Sequence, residues 1–166
     1  MGLLIVGALI GISSVFLGIF FVYLMENQKK KAHLRQMLTK ALLELNENKD
    51  LLVQIVTSLK KVHELVEPAE LEKKYETLTE TNASVFKSDE LNQLKMAPEF
   101  MSLVDIKTNI DVNNVIIRLR YINKFFGPNR KPADFSSEEY KTLHHTHEMV
   151  DGLIETLSGE LAKVKG

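Results

Sequence analysis

His144, His145 and His147 fall within four residues of one another, followed closely by Glu148 and Asp151, and these are the side chains with which the chain could do chemistry. On a helix, His144 and Glu148 lie one turn apart, as do His147 and Asp151. His144 and His147 form an i, i+3 pair, so the imidazoles and carboxylates could share a cation or exchange a proton near neutral pH. A di-metal helical bundle needs Glu-x-x-His from two helices with further inward carboxylates, and no Glu-x-x-His occurs in the sequence. The competing interpretation makes His147 a seam residue of an amphipathic helix with solvated neighbours, and that one is preferred. A metal-dependent sensor or enzyme built on His144, His147, Glu148 and Asp151 remains the alternative. His33 and His63 have no second ligand within a turn that is not a surface acid.

The other routes to catalysis lack a starting residue. There is no Gly-rich phosphate loop, no Gly-x-Ser-x-Gly elbow and no His-Glu-x-x-His. Cysteine is absent, which excludes disulfides, thiolate metal sites and a Cys nucleophile. The formal charge of −1 over 166 residues supplies no basic field for nucleic acid. The chain is therefore expected to bind rather than catalyse, with no cofactor and no nucleic acid.

Leu, Lys, Glu and Val dominate the composition, Trp is missing and Gly and Pro are few, which favours an all-α fold. No residue from Met1 to Met25 is charged, and Leu3 to Leu24 is a run of 22 mostly apolar residues, about 33 Å of helix. A cleavable leader would show a basic start and a small-residue cleavage site. The expectation is thus a permanent single-pass transmembrane anchor over 1–25, with membrane lipid as a partner. Lys29, Lys30, Lys31 and Arg35 follow it, placing residues 26–166 on the cytoplasmic side, as in a bacterial inner membrane. These basic residues would sit at the membrane interface, as a topological signal or as a headgroup site. Gly7, Gly11, Ser14 and Gly18 fall on one narrow stripe suited to close helix packing against a partner or a second copy, or to plain lipid contact.

Beyond the lysines, Leu34, Leu38, Ala41, Leu45, Asn48, Leu52, Ile55, Leu59, Val62 and Val66 recur at steps of three and four, a heptad seam on a long helix predicted over 26–67. Asn48 interrupts the seam, either to fix register or simply as an exposed residue. Glu67-Pro68 ends the segment. A short, charged helix is expected over 69–80, a helical turn or two over 89–96, and a helix over 99–126 opened by Phe100, Leu103, Ile106 and Ile110. Val112 to Phe126 fits both a strand alternation and a heptad; helix is chosen because Gly127-Pro128 supplies a stop and no second strand is available to pair. Ser136 with Glu139 forms a capping box opening a helix over 137–164, whose seam is Tyr140, Leu143, His147, Val150, Ile154, Leu157, Leu161 and Val164. The two seams should bury against each other and the 99–126 helix in an antiparallel bundle, or else against a partner chain.

Asp50-Leu51-Leu52, with Ile55-Val56, Leu59-Lys60 and Val62, resembles the Asp-Leu-Ile-Pro-Asn-Leu-Val region, with its following Val-Lys, of the bacterial LemA family. Phe100 and Leu103 leading to Asn113, Val115, Tyr121 and Asn123 is similar to a second segment of that family. The order of elements is likewise similar, although Val53 stands where the family has proline. The resemblance implies a non-enzymatic bacterial membrane protein with a helical bundle, and it transfers no functional residue. The overall expectation is a membrane accessory or scaffold protein that holds other membrane components through its anchor and bundle, or a subunit of a larger respiratory, transport or secretion complex.

Overall fold

The computed structural model describes residues 2–63, 85–126 and 134–165, with side chains described over 15–59, 85–126 and 134–164. Helix α1 runs Gly2–His63 without interruption. From residue 19 to its end the sequence offers neither glycine nor proline to break it. Its seam is buried where expected: Leu34, Leu38, Ala41, Leu45, Asn48, Leu52, Ile55 and Leu59 all face inward.

Two short helices, α2 (Asp89–Met96) and α3 (Pro98–Leu103), form one bent arm of the fold. The bend is at Ala97, whose extended backbone precedes a proline that can open α3 because its missing N–H is not needed in a first turn. Helix α4 (Ile106–Ile122) continues into a 3-10 turn, Asn123–Phe125, and α5 (Ser137–Lys165) completes the described chain. The main packing pairs are α1 with α5, α5 with α4, α4 with α2, and α2 and α3 with α1. Directions follow from contacts at the two ends. Lys49 meets Asp151, His33 meets Glu99, Lys95 meets Asn113, and Asp105 lies near Lys163. The fold is therefore an up-down-up-down, antiparallel four-helix bundle in which α2–α3 act together as the second helix.

Two local outcomes differ from the sequence expectation. First, the 99–126 helix is divided at Val104 and Asp105, both extended, because Asp105 caps α4: its carboxylate accepts from Thr108 N–H at 2.8 Å and from the Thr108 hydroxyl at 3.0 Å. Of the apolar positions expected to open one continuous helix, Phe100 is buried, whereas Leu103, Ile106 and Ile110 are exposed. Second, the capping box of α5 forms, with Glu139 N–H donating to Ser136 Oγ at 3.2 Å and Ser136 N–H to Glu139 Oε2 at 2.9 Å. Its seam, however, is rotated by about 50°. Leu143, Val150 and Leu157 are buried, and Thr146, Leu153 and Glu160 share the core with them in place of His147, Ile154 and Leu161, which are only half-buried. The expected helix over 69–80, the Glu67-Pro68 stop and the Gly127-Pro128 cap lie outside the described residues.

The anchor is also corrected. Among the described residues no helix is long and apolar enough to cross a membrane. The described side chains of the uncharged run are 15–25, eleven residues before Glu26. The side chains of 1–14, including Gly7, Gly11 and Ser14, lie outside the described residues. The single-pass topology, the inner-membrane location, the lipid partner and the membrane-scaffold and membrane-complex roles built on that anchor are accordingly set aside. What stands is an all-α bundle whose longest helix extends beyond it.

Candidate functional site

The histidines do not converge. His144 and His145 both point Nδ1 at Glu148, at 3.6 and 3.4 Å, on the exposed side of α5. His147 turns the other way and buries Nε2 with no hydrogen-bond partner among the described residues. Asp151 accepts from Lys49 of α1 at 2.5 Å, and that ammonium holds its carboxyl below the usual aspartate range. The four groups proposed to share a cation are thus engaged in three different directions. Among the described residues, no cluster of His, Asp or Glu could hold a metal ion. The metal-sensor alternative is withdrawn on that geometry.

A polar latch that the spacing did not reveal lies where residues 86–91 cross α1. The Asn48 carboxamide, 2% exposed, donates to Lys87 C=O at 2.8 Å and accepts from Lys87 N–H at 3.0 Å. One residue earlier the same pattern is repeated from the other side: Asn123, in the 3-10 turn, accepts from Phe86 N–H at 2.8 Å and donates to Phe86 C=O at 2.9 Å. Glu44, 5% exposed, then accepts from the N–H groups of Glu90 and Leu91 at 3.0 and 3.1 Å. A carboxylate on the free N–H groups of a helix start serves α2 as a cap supplied from another helix, favoured also by the helix dipole. Ser88, the residue in the cap position, makes no side-chain cap bond. The seam break at Asn48 is therefore a backbone clamp within the chain. Phe86 packs edge-on against Phe126, and Phe126 against Phe135, closing this end of the core.

At the opposite end α1 leaves the bundle. Leu34 is the first buried residue among its described side chains, and residues 15–25 expose apolar side chains on every side, from 40 to 69% for Val15, Phe16, Leu17 and Ile19 through Met25. An added Cβ on Gly18 would meet nothing within 4 Å, so the one described member of the small-residue stripe packs against no neighbour. Lys29, Lys30, Lys31 and Arg35 are exposed at the base of this arm, between the apolar segment and the bundle, and their membrane-interface assignment falls with the anchor. Beside them His33 Nδ1 lies 3.5 Å from Glu99.

Between α4 and α5 runs an open groove lined by Asn114, Ile117, Arg118 and Tyr121 on one side and His145 and Met149 on the other. It is shallow and holds no convergent set of polar groups of the kind a small-molecule site requires. The arrangement defines a helical-bundle protein with a projecting helical arm, a class recognised by architecture alone. No family model, curated protein or solved structure matches the chain.

Proposed function

We propose that the chain is a non-enzymatic helical tether, in which the bundle is a firm platform and the arm of α1, residues 15–25, docks against apolar helices of another protein. One observation carries this. Phe16, Phe20, Phe21 and Tyr23, exposed between 58 and 69%, leave roughly 500 Å² of aromatic surface uncovered if each ring offers about 200 Å². That alone reaches the size of the largest apolar patch on a typical monomer, and the aliphatic neighbours add to it. An uncharged helix surface apolar on all sides is stable in use only when other groups surround it. The partial resemblance to the LemA family agrees with a non-enzymatic role and names no partner.

The test places a photo-crosslinking residue at Phe20, and separately at Glu47 on the bundle, in the full chain within its own cells. The tether reading expects Phe20 to join one defined protein chain that Glu47 does not reach, and expects Phe16→Ser with Leu17→Ser to abolish that product. Adducts of Phe20 confined to lipid, or no adduct at all, would overturn it.

A further inference from the structure

The outer face of α4 carries a second apolar row that the bundle does not use. At 100° per residue, Ile106, Ile110, Ile117 and Tyr121 fall within about 60° of one another, and all four are exposed, from 47 to 79%. The buried residues of the same helix, Val112, Val115, Leu119 and Ile122, lie on the opposite side. The row has an internal symmetry. Ile110 and Ile117 are equidistant from the midpoint between Asn113 and Asn114, and so are Ile106 and Tyr121. A row that reads the same in both directions is complementary to its own reverse, which is what a two-fold, isologous contact between identical helices requires.

The charges beside the row fit the same operation. Asp111 and Arg118 lie on the flank towards α5, are half-buried, and make no ion pair among the described residues. Seven positions apart, they are separated by about 10 Å along the helix and cannot meet within one chain. Placing a second α4 antiparallel about the Asn113–Asn114 midpoint brings Asp111 to within about 3 Å, along the axis, of Arg118 of the second copy, and the symmetry makes the pair twice. In a parallel arrangement that flank would face Asn109 and Arg120, which gives Asp111 no cation at its own level.

We infer that the outer face of α4 is a homodimer interface, formed antiparallel with a second copy of this chain about a two-fold axis between Asn113 and Asn114. The contact is a single pair of helices about 25 Å long, smaller than the roughly 800 Å² per partner of a standard interface, so the dimer should be of micromolar affinity. This inference is independent of the arm, and Phe20→Ser should leave it unchanged.

Sedimentation equilibrium of the full chain should show a monomer–dimer equilibrium that Ile117→Asp weakens at least tenfold. Arg118→Asp should weaken it as well, and joining Arg118→Asp with Asp111→Arg should restore it, because the exchanged charges again oppose each other across the axis. Restoration shows that the single change had not merely unfolded the chain. The absence of native cysteine permits a direct check of direction: oxidising a mixture of Ile110→Cys and Ile117→Cys chains should give the mixed disulfide in preference to either homodimer. A chain that stays monomeric at high micromolar concentration, disulfides formed chiefly between identical positions, or a charge exchange that restores nothing would each overturn the inference.

Discussion

Replacing Asn48 by alanine tests the polar latch most directly, because the same change at Asn46 provides its own control. Both are asparagines on α1, two residues apart, and both donate Nδ2 to a backbone carbonyl: Asn46 to Leu42 at 2.7 Å on the exposed side, Asn48 to Lys87 at 2.8 Å in the interior. Asn46→Ala gives up a bond that water can replace, and a surface change of this kind costs within about 0.5 kcal/mol. Asn48→Ala leaves both the N–H and the C=O of Lys87 without their partner. At about 1–3 kcal/mol for each buried group left unsatisfied, discounted because Lys87 itself is exposed, the expected loss is about 2–4 kcal/mol. For a chain of this size that is a fall in melting temperature of roughly 10 °C. Asn48→Leu would repair the apolar seam and should still destabilise, since leucine cannot bond the crossing backbone. Urea unfolding followed by circular dichroism at constant pH, with amide exchange read at Phe86 and Lys87, measures both quantities. If Asn48→Ala and Asn46→Ala proved equally harmless, or Asn48→Leu stabilised the chain, the clamp would carry no weight.

Other perturbations follow from the same contacts. Glu44→Ala should cost about 1.5–3 kcal/mol by freeing two N–H groups at the start of α2, with faster amide exchange at Glu90 and Leu91 than elsewhere in the bundle; uniform exchange would contradict it. His147→Leu removes a buried nitrogen that no described group satisfies and should raise stability by about 1–2 kcal/mol in a thermal melt, whereas a loss would point to an unrecognised bond. Asp105 is held below the ordinary aspartate range, first by the Thr108 N–H and then by the Thr108 hydroxyl. Its stabilising contribution is complete above the unfolded-state value and disappears as pH falls through the lower native one. Melting temperatures recorded from about pH 5 to 2 should therefore decline less steeply for Asp105→Asn than for the native chain, and parallel curves would argue against the cap.

How legible the fold was depended on whether a residue's partner lay on the same periodic pattern. The α1 seam was readable because leucines at steps of three and four can only share one face. Asn48 was visible as an anomaly in that seam, but its partner is a piece of backbone 39 residues further on, which no spacing rule can reach. Glu44 and Asn123 were missed for the same reason. Asp105 went unread as a cap, because the apolar spacing through Phe100, Leu103, Ile106 and Ile110 runs on across it and periodicity alone cannot say whether a row faces the core. That ambiguity also explains why Val112 to Phe126 resembled a strand. The helix is apolar on two faces, Val115 and Leu119 inward, Ile117 and Tyr121 outward, so every second residue is apolar. The histidine site failed on side-chain direction, because one turn of separation does not decide whether Nε2 points to solvent or to the core. The uncharged run at the start is legible as apolar composition along the chain, and composition alone does not say what surrounds it.

The double clamp on Phe86 and Lys87 means that the bundle does not rely on the covalent path between α1 and α2 to align them. Register is set where the strands of backbone cross, by groups from α1 and the 3-10 turn that grip the incoming segment wherever it arrives from. The alignment of α2 on α1 is thereby fixed at two adjacent peptide groups, and a change that loosens one should loosen the other.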